Sequence, residues 1–180
     1  MDDTGCSCNV ATAMDRHRFI TLASATGAAG LATLTSTPFA RAAGDTDTLL
    51  LNCMDYRLTA KTTSYMAREG MAGKYDQVIL AGASLGAVTD KYPDWGRTFR
   101  EHLAIAIELH HIRRVIAIDH RDCGAYKVIL GHDYAAHPAE ETRIHAEMLH
   151  RLRHEIRELH PKLGVELGLM ALDGHVEPIA

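Results

Sequence analysis

From residue 47 onward, short unbroken apolar runs alternate with longer stretches in which apolar residues recur every three or four positions. Residues 47–53, DTLLLNC, form the first run and predict a buried strand. Residues 59–70 predict a helix ending near Gly70, and residues 77–81 predict a second strand closed by Gly82 and Gly86. Pro93 and Asp94 open a helix that runs to about His111, with Asp94 as its N-cap and Phe99, Leu103 and Ile107 at i, i+4, i+8 spacing. Residues 114–119 predict the third strand, and residues 124–130 a short helix ended by Gly131. Pro138 opens a long helix that ends near His160 ahead of Pro161, with Ile144, Met148, Leu152, Ile156 and Leu159 as its apolar face. Residues 164–172 predict a fourth strand; after a turn at Asp173-Gly174 the short tail is free to pair antiparallel. Apolar strands separated by helices pair in parallel under helices on both faces. The expected fold is a single α/β domain with a mainly parallel four-stranded sheet, order 2-1-3-4, and the tail as a candidate fifth antiparallel strand.

The N-terminal part differs. Residues 19–43 are rich in Ala, Thr, Gly and Ser, hold no acid and one base, Arg41, and follow Arg16-His17-Arg18. They end in Ala40-Arg41-Ala42, a small-residue cleavage pattern. Residues 1–43 therefore read as an export signal, and residues 44–180 as the functional domain. The signal is twin-arginine-like, with His17 where the second Arg would stand, and Met14 is the candidate natural start. The expected location is periplasmic, or cytoplasmic if the signal is not used. No 18-residue run is apolar enough to predict a stable membrane span.

Composition narrows the function classes. The 180 residues carry a formal net charge of −4, which argues against a nucleic-acid binder that works by neutralising phosphates. Four cysteines are too few for a disulfide scaffold. Two segments carry candidate chemistry. The first strand runs into Cys53-Met54-Asp55-Tyr56-Arg57, and the third into His120-Arg121-Asp122-Cys123-Gly124. In a parallel sheet both lie at the carboxyl edge, and between neighbouring first and third strands they meet at the switch point where α/β sheets bind ligands. Two thiolates and one imidazole make a catalytic zinc set with a position left open. Asp55 lies two residues from Cys53, so it points the same way along an extended chain, and Arg57 can pair with it. The rival readings are a Cys53–Cys123 disulfide and a plain structural ion pair.

At these residues the chain resembles the β-class carbonic anhydrases, whose motif C-x-D-x-R is followed by H-x-x-C-G. The resemblance spans residues 48–178 and includes Ala171-Leu172-Asp173-Gly174-His175-Val176-Glu177. It implies zinc on Cys53, His120 and Cys123, and a catalytic dyad of Asp55 and Arg57. It also implies reversible hydration of carbon dioxide to bicarbonate in a homodimer or larger homo-oligomer. The alternatives are carbonyl sulfide or carbon disulfide hydrolysis on the same zinc site, or a zinc-bound binding or assembly module without turnover. The chain departs from the family at residues 81–86, AGASLG, where an Arg-Asn-Ala-Gly-type turn is usual. Gly82, Ser84 and Gly86 are read as a tight turn lining the pocket. Tyr56, Leu85 and Val88 are candidate walls for a gas pocket, and His132 and His175 candidate proton shuttles. His145, His150, His154 and His160 are placed on the solvated face of the long helix.

Overall fold

The structure, a computed structural model, describes residues 46–180. The export signal expected over residues 1–43, with Cys6 and Cys8, lies outside the described residues. Ten elements follow one another: β1 (Thr48–Cys53), α1 (Thr59–Arg68), β2 (Asp76–Leu80), α2 (Ser84–Val88), α3 (Pro93–His110), β3 (Arg114–His120), α4 (Gly124–Leu130), α5 (Pro138–Leu159), β4 (Gly164–Met170) and β5 (Val176–Pro178). The strands form one sheet in the order β2-β1-β3-β4-β5, parallel throughout except for the antiparallel β4–β5 pair. The α/β architecture and the order 2-1-3-4 agree with the sequence reading, and the tail is the fifth strand.

The alternation of side chains along β1 divides the core. Leu49 and Leu51 join Val115 and Ala117 of β3 on one face, against Phe99 and Leu103 of α3 and Leu149, Leu152 and Ile156 of α5. Leu50 joins Ile116 and Ile118 on the other face, against Leu58, Met66 of α1 and Met170. Every residue of β1 is buried, as expected of a strand covered on both sides. Among the described residues no helix is long and apolar enough to cross a membrane.

Four local readings change. The turn expected over residues 82–86 ends at Ala83, and from Ser84 the chain is the short helix α2, all five residues of which are buried. Gly86 is required there, because a Cβ would overlap the carbonyl oxygen of Ala81. Leu85 and Val88 belong to the core. Tyr92, not Asp94, is the N-cap of α3; Asp94 lies inside the first turn and pairs with Arg97 at 3.1 Å. On α5 the packed stripe is Ile144, His145, Met148, Leu149, Leu152 and Ile156, whereas Leu159, the final helical residue, is 57% exposed.

Candidate metal centre and its surroundings

Cys53 ends β1, His120 ends β3, and Cys123 is the N-cap residue of α4. β1 and β3 are parallel neighbours, with β2 outside β1 and β4 outside β3, so the first crossover leads outward and the next returns to the opposite side. The three side chains converge at the resulting crevice, with all three ligand atoms within 4.8 Å of one another. The two sulfurs are 3.9 Å apart and both cysteines are free, so the disulfide alternative is replaced by a thiol pair; a disulfide would need about 2.05 Å.

Nδ1 of His120 lies 2.9 Å from the carbonyl oxygen of Arg121 and, as the donor in that bond, leaves a lone pair on Nε2. His120 is 2% exposed, and its Nε2 is the one buried side-chain nitrogen or oxygen without a hydrogen-bond partner among the described residues. A buried polar atom without a partner is costly unless something else satisfies it. Together with two converging sulfurs, it fits a metal ion that accepts thiolate and imidazole. The hydrogen bond from Cys123 holds Cys53 far below the ordinary thiol range against the effect of burial, with further help from His120 and the Gly82 N–H, which donates to the Cys53 sulfur at 3.3 Å. The same bond, and burial, push Cys123 up, while the backbone N–H groups of Tyr126 and Ala125 act in the other direction. Burial works against charge on His120, but the contact with Cys53 outweighs it and raises the imidazole.

Asp55 and Arg57 meet in a forked pair. Arg57 Nη2 donates to Asp55 Oδ2 at 2.7 Å, Nε to Oδ1 at 3.0 Å, and the Arg57 backbone N–H to Oδ1 at 2.9 Å. These bonds hold the Asp55 carboxyl below its ordinary value despite burial. Asp55 Oδ2 lies 3.9 Å from His120 Nε2, so the carboxylate borders the ligand cluster. The guanidinium also reaches Asp122, with Nη1 2.6 Å from its carboxylate and Nη2 2.8 Å from its carbonyl oxygen. Asp122 was not singled out from the sequence, although it sits inside the H-x-x-C segment.

A cavity of about 290 Å³ opens beside Cys53, Asp55 and Cys123, walled by Tyr92, Trp95, Ala81, Val128 and Ile129. Tyr92 and Trp95 stack with ring centroids 4.3 Å apart. None of the expected wall residues lines it. Tyr56 is 86% exposed in the turn that follows β1, and Leu85 and Val88 face the core. Gly82, Ser84 and Gly86 do not line it either. His132 and His175 are exposed and lie outside this cavity.

Behind His120 stands a buried network that the sequence reading missed. The Asp119 carboxylate accepts from the Ser84 N–H (2.9 Å), the Ser84 hydroxyl (2.6 Å), the Tyr126 hydroxyl (2.6 Å) and Nδ1 of His145 (3.0 Å). His145 is therefore not on the solvated face with His150 and His154; it is 1% exposed, and its ring packs at 3.8 Å on Tyr126. An aspartate at the end of an otherwise apolar strand was the available signal. Asp119→Ala strands several buried donors, each costing about 1–3 kcal/mol, so the variant should lose about 3 kcal/mol or more. Urea unfolding checks this, and an unchanged midpoint would contradict the network.

Residues 43–179 match the sequence model of the family described as "Putative carbonic anhydrase". An uncharacterized protein of Rickettsia conorii is 42% identical over 135 residues, which are 75% of this chain and 73% of that protein. An uncharacterized protein of Rickettsia bellii is 40% identical over 135 residues, 75% of this chain and 82% of that one. Among solved structures, a carbonic anhydrase from Glaciozyma antarctica is similar at 18% identity and a TM-score of 0.49, over 76% of this chain and 83% of that one.

Proposed function

The chain belongs to the β-class carbonic anhydrase family, and from that premise we propose that it is a zinc enzyme, acting as a homo-oligomer, that reversibly hydrates carbon dioxide to bicarbonate. The observation that carries the reading is the convergence of Cys53, His120 and Cys123, with an unpartnered Nε2, beside the Asp55–Arg57 pair and an apolar cavity. Cys53, His120 and Cys123 would hold zinc, which when bound acidifies a water into a nucleophile at moderate pH.

The chain's own side chains supply the rest. Tyr92, Trp95, Val128 and Ile129 offer an uncharged, linear gas molecule an apolar enclosure without competing charges. Asp55, an anion at neutral pH and held in place by Arg57, can only accept hydrogen bonds, so it aims a donor at the cavity in one orientation. Arg57, fixed on its other edge by Asp122, holds the Asp55 carboxylate in plane. Stopped-flow hydration on a sample whose zinc content is measured tests the proposal. Hydration that scales with zinc supports it. Sulfide release from carbonyl sulfide or carbon disulfide, without hydration, assigns the hydrolase alternative, and full zinc with neither activity assigns a binding module.

Export is a separate proposal, supported by the Arg16–Arg18 cluster and the Ala40-Arg41-Ala42 pattern. N-terminal sequencing of protein from the periplasm should begin near Gly44; a start at Met1 or Asp2 would remove it.

A further inference from the structure

We propose that Glu141 is a positioning residue for the metal centre, holding the loop between His120 and Cys123 and, through Asp122, the Arg57–Asp55 pair. The inference rests on Cys53, His120 and Cys123 being the metal ligands.

Glu141 sits in the first turn of α5 and is 4% exposed. A carboxylate so far from water requires hydrogen-bond donors, and it finds them on the two residues that separate the ligands. Its Oε1 accepts from the Asp122 backbone N–H at 2.6 Å, and its Oε2 from Arg121 Nη1 at 3.3 Å. Asp122 needs this partner. Its φ of +55° lies in the left-handed region, which side chains other than glycine enter at a cost, and that conformation turns the chain from the end of β3 into α4. The Asp122 carbonyl and carboxylate then take both Nη atoms of Arg57, and Arg57 takes Asp55. A continuous chain of short polar contacts therefore runs from α5 through the ligand loop to the edge of the cavity. Nothing in the proposed chemistry uses Glu141 directly.

A purely structural role is the competing explanation. Arg121 also bonds Thr142 at 3.1 Å and Glu177 at 2.9 Å, so Glu141 could serve only to tie α5 to the tail strand. The two explanations differ in what the metal reports. Residues that orient metal ligands change affinity by about 10–100-fold when removed, whereas a helix tie changes global stability and leaves the ligand geometry alone.

The test uses the full chain loaded with cobalt(II) for visible spectra, and with zinc for chelator competition. In Glu141→Ala the cobalt bands should shift and zinc should bind about 10–100-fold more weakly. Glu141→Gln keeps an oxygen for the Asp122 N–H and should restore most of that affinity. Glu141→Asp keeps the charge but draws the oxygen back, and should shift the bands as well; it carries the test if the alanine variant does not fold. Glu140→Gln, its exposed neighbour, is the control and should match the unsubstituted protein. Lower thermal stability with unchanged bands and unchanged zinc affinity overturns the inference and leaves Glu141 as a helix tie. Failure of the unsubstituted protein to bind cobalt or zinc overturns the metal assignment itself, and the inference with it.

Discussion

Cys123→Ser protein should come off a chelator-treated column folded and nearly free of zinc. The expectation follows from how the binding free energy is distributed. Zinc sites in small domains contribute about 10–16 kcal/mol over four ligands, so one ligand carries roughly 2.5–4 kcal/mol, a factor of about 10²–10³ in affinity. Serine is nearly isosteric, but its hydroxyl stays protonated where a thiol ionises. His120→Ala should lose metal to the same degree, because Nε2 of His120 has no protein partner and no other imidazole belongs to the cluster. Cys53→Ser removes the sulfur that the Gly82 N–H and Cys123 both address, and should do likewise. Far-ultraviolet circular dichroism checks the fold, and elemental analysis the metal. Full zinc in all three variants would mean that the ion, if one binds, sits elsewhere.

The convergence of these three residues was legible because Cys53 and His120 lie where largely apolar runs stop and Cys123 follows His120 by three residues. Cys53 closes Leu49-Leu50-Leu51-Asn52, and His120 closes Val115-Ile116-Ala117-Ile118-Asp119, so strand ends and ligands coincide. Parallel pairing then brings both ends to one edge. β1 ends at Cys53 and the chain turns over residues 56–58, so strand alternation does not extend to Tyr56, which lies in solvent. The true aromatic wall, Tyr92 and Trp95, lies around the start of α3, where no periodicity marks a pocket. α2 was hidden for a different reason: Ser-Leu-Gly-Ala-Val is too short for a helical period and carries a glycine inside. His145 looked solvated because it lies beside, not within, the i, i+4 stripe that was counted, and only the contact with Asp119, 26 residues earlier, buries it. The same holds for Glu141. Its shorter contact is with a backbone N–H that no sequence pattern displays.

Asp55→Asn should retain zinc and lose activity by on the order of 10²-fold, the usual consequence of removing one oriented electrostatic partner. The side chain keeps its size, and Asp55 is outside the group of three ligand atoms, so metal content should be unchanged. What changes is the direction of hydrogen bonding. A carboxylate accepts only, whereas an amide also presents two N–H donors and can turn them toward the nucleophile. Charge by itself is not the deciding factor, and the Arg57 variant shows why. Arg57 lowers the Asp55 carboxyl from an ordinary value near 3.8. A depressed carboxyl is ionised above its ordinary value and loses its charge only as pH falls through the lowered one. In Arg57→Ala that value returns toward 3.8, so Asp55 remains an anion at pH 7 with or without its partner. Arg57 therefore acts at neutral pH through aim, by three hydrogen bonds to one carboxylate. Two residues that act through a single function are not additive. The double variant, Asp55→Asn with Arg57→Ala, should be scarcely slower than the slower single variant, rather than slower by the product of the two losses. Stopped-flow hydration at pH 7–9 on zinc-quantified protein reads all four proteins together. Near-normal hydration by Asp55→Asn with zinc in place would remove Asp55 from the reaction, and multiplicative losses in the double variant would give Arg57 a role independent of Asp55.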